Sequence, residues 1–294
     1  MNPNFLYLTA PLNGLLMIAL PIGLGVFLSK RLGQRWSLFG IGALTFIASQ
    51  VVHIPLLYGL TALFKLFPSP PDAWKLTINA VILGLMAGLC EETARYLIYR
   101  FWIKSARTWR EGLMFGAGHG GVEAIIFGAL ALFSFIQLVA LRNTDLSTLP
   151  LTPDQRVAAA QQVATFWATL PLLALVGALE RVFALCLHLS LSVLVLQTFR
   201  RRNILWLGLA ILWHAAVDGL AVYAAGTWGV YSAEVVALVF AGASLWIILR
   251  LNDGETPAQA ASPASSGTPA PLASPAPTLK PAPEAKLDDS RFTE

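Results

Sequence analysis

Glu91 and Glu92 stand side by side in an otherwise apolar stretch, with Arg95 close behind. His119 and Glu123 interrupt a second apolar stretch, Glu180, Arg181 and His188 a third, and His214 and Asp218 a fourth. Carboxylates beside imidazoles are what hydrolysis requires: acid–base groups or metal ligands that activate water, and donors that steady an oxyanion. No nucleophile is better placed. Cys90 has no histidine at short spacing, and no serine stands in a GxSxG elbow. The contiguous HExxH signal of soluble zinc proteases is absent, so a metal site would have to be assembled from separate helices.

The elements that position these residues are membrane spans. The 294-residue chain is 56% hydrophobic and 12% charged, with a mean hydropathy of +0.65. That is too apolar for a water-soluble globule, and it excludes soluble enzyme and nucleic-acid-binding folds. Apolar stretches near the ~20 residues needed to cross a bilayer run over 6–29, 36–64, 76–99, 112–141, 171–199, 204–225 and 230–249. The expected architecture is therefore an all-α, polytopic membrane bundle of seven transmembrane helices. Thr152-Pro153-Asp154, with its capping hydroxyl and early proline, predicts a short helix outside the membrane, running on through Gln162.

Basic residues settle the expected orientation. Lys30, Arg31 and Arg35; Arg100, Lys104, Arg107 and Arg110; Arg200, Arg201 and Arg202; and Arg250 all fall on one side. The other side holds Lys65, Lys75, Arg142 and Arg156, partly balanced by Asp72, Asp145 and Asp154. The positive-inside rule then puts the N-terminus out and the C-terminus in. The basic balance is topological, and nucleic acid is not an expected partner. No Lys or Arg precedes Lys30, so the first span reads as a retained anchor rather than a cleaved signal. Residues 1–250 form the expected membrane domain, with the motifs within 76–225. Residues 251–294, rich in Pro, Ala and Ser, read as a disordered cytoplasmic tail. Cys90 and Cys186 read as small packing residues.

Ionisable groups in mid-membrane are costly, about 2.5 to 3.5 kcal/mol each on insertion scales. An inert bundle gives no reason to carry several. Counting inward from Arg100, Arg110, Arg200 and Arg202, Glu92, His119, His188 and His214 lie at depths of roughly 12 to 18 Å at 1.5 Å per residue. Four helices thus bring them to one level. His119 and Glu123 share a helix face, as do His214 and Asp218. Glu91 pairs with Arg95 along its helix, and Glu92 points about 100 degrees away. Gly84, Gly88, Gly116, Gly118, Gly120 and Gly121 let the backbones approach. Arg95 and Arg181 read as charge-balancing groups. Glu180 lies near the outer face, Glu234 reads as interfacial, and His53, two residues before Pro55, reads as a kink-associated polar residue outside the four site helices.

In order, Glu91-Glu92-Thr93-Ala94-Arg95, Phe115 to Glu123, Glu180-Arg181 with His188, and His214-Ala215-Ala216-Val217-Asp218 resemble the motifs of YhfC-type intramembrane proteases. That family is similar in turn to the CAAX and bacteriocin-processing proteases and to PrsW-like proteases. The resemblance implies that Glu91 or Glu92 activates water, that His119 and Glu123 face them, and that Asp218 orients His214. His119, Glu123, His188 and His214 become candidate ligands for Zn2+ or partners of an oxyanion, and a metal-independent glutamate–histidine mechanism stays open. The implied activity is endoproteolysis of a membrane protein or peptide within the lipid bilayer, with water reaching the cavity from the cytoplasmic half. A bacterial inner membrane is the expected location; oligomeric state is left open. A proton-coupled transporter and a non-catalytic peptide-binding relative are the rival readings, the first weakened by the absence of an internal repeat.

Overall fold

The computed structural model describes residues 3–64 and 73–252. The expected tail, from Asp253 on, and the loop that carries Lys65 and Asp72 lie outside the described residues. Among the described residues, eight α-helices follow in order: α1 Leu6–Leu32, α2 Trp36–Phe64, α3 Ala73–Phe101, α4 Trp109–Leu141, α5 Pro153–Ala168, α6 Val176–Arg200, α7 Leu205–Trp228 and α8 Val230–Arg250. No strand occurs among the described residues. Seven of the helices are long and apolar enough to cross a membrane, and they match the seven expected spans. The eighth, α5, is the short helix predicted from its capping signal.

Helix starts are earlier or firmer than hydropathy alone suggests, because caps set them. α4 begins three residues before the expected position: the Thr108 hydroxyl accepts from the Glu111 N–H at 3.2 Å, and the Glu111 carboxylate accepts from the Thr108 N–H at 2.9 Å. Thr152 and Gln155 repeat the device at α5. That helix continues to Ala168, beyond the expected Gln162.

Polarity is inverted relative to a soluble protein. Leu44, Val51, Leu130, Phe133, Leu212 and Trp246 are exposed on the outside, whereas Glu92, Arg95 and His119 are fully buried. A bilayer reconciles the two, since hydrocarbon solvates the first set and the second must find partners inside.

α4 sits at the centre, against α1, α2 and α6, while α3 packs on α7. Glycines permit both contacts. A Cβ at Gly118 would overlap the Phe39 carbonyl of α2, and one at Gly88 would stand 2.5 Å from the Ile211 carbonyl oxygen of α7. Backbone this close leaves no room for any side chain, and it draws the polar positions of four helices into one volume.

Candidate active site

α3 presents Glu91, Glu92 and Arg95, α4 presents His119 and Glu123, α6 presents Arg181 and His188, and α7 presents His214 and Asp218. The three imidazoles lie in a row, with ring centroids 5.4 Å apart for His119 and His188 and 5.7 Å for His188 and His214. The structure thus brings together the histidines that the sequence placed at one level. A local reason fixes the central ring: a Cβ at Gly120 would fall 2.6 Å from Cδ2 of His188, so only glycine lets that imidazole lie against α4.

Hydrogen bonds link the groups into two sets, one around Glu91 and His119 and one around Glu92, Arg95 and His188, which the 4.0 Å Arg95–Glu91 ion pair joins. Nε2 of His119 is 3.1 Å from Oε2 of Glu91, and the far side of its ring meets Phe46 edge-on at 5.3 Å. Glu92 pairs with Arg95 and, through the same oxygen, with Nδ1 of His214 at 2.7 Å. Nε2 of His214 faces the Asp218 carboxylate at 3.4 Å. Arg95 also donates to Nδ1 of His188 at 2.7 Å. A guanidinium cannot accept, so Nδ1 is the acceptor and Nε2 carries the proton that His188 donates to Glu123 at 2.6 Å. Glu123 accepts from Arg181 at 2.7 Å, and Arg181 pairs in turn with Glu180. Among the sequence-predicted residues, every one therefore joins this network, Arg95 and Arg181 as charge partners.

The donor set suits a divalent cation. Glu91, His119 and His188, all buried, each bring one ligand atom within 4.8 Å of the others. Two histidine nitrogens and one carboxylate oxygen are a donor set that catalytic zinc sites use. Nδ1 of His119, a buried atom of this group, makes no hydrogen bond. Across the cluster, five carboxylates (Glu91, Glu92, Glu123, Glu180 and Asp218) stand with two guanidinium groups and three imidazoles. The grouping differs from the expected ligand set in composition. Glu91 stands with His119 and His188, whereas Glu123 holds the outer nitrogen of His188 and both nitrogens of His214 face carboxylates.

A cavity of about 140 Å³ adjoins the cluster, lined by Glu91, Glu123, His188 and His214 and walled by small residues such as Ala184 and Ala221. Its exposed polar members are Glu180 and Asp218, with 43% and 35% of their side chains accessible. Both lie toward the start of α6 and the end of α7, away from Arg200 and Arg202. The accessible polar residues of the cavity thus lie away from the basic loops, whereas the expectation from sequence is water entry from the basic side.

Two contributions were missed. α8 supplies Ala237, Phe240 and Ala241 to the cavity wall, with no polar motif to reveal it. α2 supplies Gln50, whose amide reaches Glu91 at 3.2 Å and His53 at 3.2 Å. The signal was present: Gln50 and His53 are three apart in an apolar span and share a face. His53 is thus linked to the site rather than only to the Pro55 region.

The family model for the YhfC intramembrane metalloprotease matches residues 16–241, a range that contains every residue of the network. Among curated proteins, the chain is similar to the "Uncharacterized membrane protein YhfC" of Bacillus subtilis (strain 168), with 35% identity over 244 residues, covering 81% of this chain and 93% of that protein. No solved structure matches the chain. On both the family match and the extent of the similarity, the chain belongs to the YhfC intramembrane metalloprotease family.

Proposed function

We propose that this protein is a zinc-dependent intramembrane endopeptidase, a reading carried above all by the convergence of Glu91, His119 and His188 from three helices. These three residues would hold the cation, and Glu123 would fix the ring of His188 through its Nε2 proton, as carboxylates commonly do for ligating histidines. A zinc ion there would supply Lewis-acid polarisation of a carbonyl and lower the pKa of water.

With Glu91 assigned to the cation, Glu92 is the general base. Its Oε2 has no partner, whereas both oxygens of Glu123 are engaged. Glu92 takes a proton from water as the water oxygen bonds to the peptide carbonyl carbon. The same proton passes to the leaving amine nitrogen when the C–N bond breaks. His214, which lines the cavity between Glu92 and Asp218, donates from Nδ1 to Oε1 of Glu92 and so orients the carboxylate of the base. The substrate is a membrane protein or peptide, because the site lies among spans and the cavity walls are formed by them.

Basic loops orient the bundle with the N-terminus outside, and the polar mouth at Glu180 and Asp218 then faces the outer half of a bacterial inner membrane. The relationship to the CAAX and PrsW-like proteases belongs to this reading through the shared Glu-Glu and late His motifs.

Zinc-loaded protein in proteoliposomes, presented with transmembrane peptides and analysed by mass spectrometry for new termini, tests the activity. Cleavage that a chelator stops and Glu92→Gln abolishes supports it. Cleavage that persists in Glu92→Gln contradicts the assignment of the base, and cleavage indifferent to chelators contradicts the metal.

A further inference from the structure

Helix α2 carries none of the motif residues, yet it reaches the site through Gln50, which His53 backs from the same helix. Nε2 of Gln50 donates to Oε1 of Glu91 at 3.2 Å, while the other carboxylate oxygen, Oε2, faces His119 at 3.1 Å. The direction of the amide is fixed by chemistry: a carboxylate only accepts, so the NH2 group faces Glu91 and the amide oxygen faces α2's own His53. Nδ1 of His53, 3.2 Å from that oxygen, is therefore its donor. Glu91 is 5% exposed, so no bulk water replaces the amide if it is removed.

We propose that Gln50 and His53 are positioning residues that hold Glu91 in the orientation in which it binds the cation. This rests on the reading of Glu91 as a metal ligand. Glu91 has a flexible side chain, and an unheld carboxylate would have Arg95, 4.0 Å away, as an alternative partner. Gln50 occupies one oxygen and leaves the other directed at the histidines. His53 occupies the amide oxygen, which keeps the amide from rotating. Groups that hold a ligand in this way typically change metal affinity 10- to 100-fold when lost.

The test uses the full chain, purified in detergent. Zinc affinity is measured by competition with a chromophoric chelator for the native protein, Gln50→Leu and His53→Phe, and the cobalt-loaded forms are compared by visible absorption. Leucine is at home in an apolar span, so Gln50→Leu should fold; a thermal unfolding curve checks this. A loss of about 10- to 100-fold in zinc affinity for Gln50→Leu, an altered cobalt spectrum, and a several-fold loss for His53→Phe are the expected results. Native affinity with an unchanged cobalt spectrum in Gln50→Leu would overturn the proposal while leaving the metal site standing. If Gln50→Leu does not fold, His53→Phe decides: unchanged affinity overturns the proposal. A native protein that takes up no zinc overturns both this proposal and the metal reading on which it rests.

Discussion

Arg95 donates to Nδ1 of His188 across 2.7 Å, so the lone pair with which His188 would bind a cation is already engaged by a guanidinium. Arg95 and a metal ion thus compete for one nitrogen, while the opposite nitrogen stays with Glu123. Arg95 also neutralises buried Glu92. Replacing Arg95 with Met should tighten zinc binding and, without metal, destabilise the fold by about 3–5 kcal/mol, the usual penalty for stripping one partner from a buried ion pair. Unfolding measured with and without zinc checks both effects: zinc should restore more stability to Arg95→Met than to the native protein. Equal restoration would count against competition.

The two adjacent glutamates should separate cleanly in their effects. Glu92→Gln keeps a polar group of the same shape and should lower cleavage by about 10²- to 10⁴-fold with metal content unchanged. Glu91→Ala should lose the metal. Glu123→Gln should weaken zinc binding by about 10- to 100-fold through His188. Metal content and cleavage measured on the same preparations would expose a wrong division of labour.

Most of this site was legible in the sequence because burial of charge in a membrane is so costly that a few positions stand out. Glu92, His119, His188 and His214 could be placed at one depth from rim arginines alone, since helix rise converts residue number into distance. What could not be read was rotation about each helix axis. That is why the sequence did not single out Glu91 as the carboxylate grouped with both His119 and His188. Rotation depends on close packing such as Gly88 on Ile211, a contact between residues distant in sequence. The shared cavity of Glu180 and Asp218 was hidden for a related reason, since they stand on different helices and only packing brings them together.

Packing at α4 offers a sharp contrast. Gly118→Ala should reduce stability and accumulation in the membrane, because the added methyl meets the Phe39 backbone, which cannot rotate away. Gly208→Ala, with open space around the corresponding position, should be tolerated. Similar melting temperatures for the two variants would refute the close α2–α4 approach.

The proposed orientation predicts labelling from opposite sides. In a background lacking Cys90 and Cys186, Ala221→Cys at the cavity should react with a small membrane-impermeant thiol reagent in spheroplasts, and Lys104→Cys only after permeabilisation. The reverse pattern would invert the topology.

The central claim is that Glu91, His119 and His188 form a metal site. Its most direct test is the metal content of detergent-purified protein by mass spectrometry, beside folded His119→Ala and His188→Ala variants. The account predicts about one zinc per chain, lost in both variants. A folded native protein without metal, or undiminished metal in both variants, would contradict it.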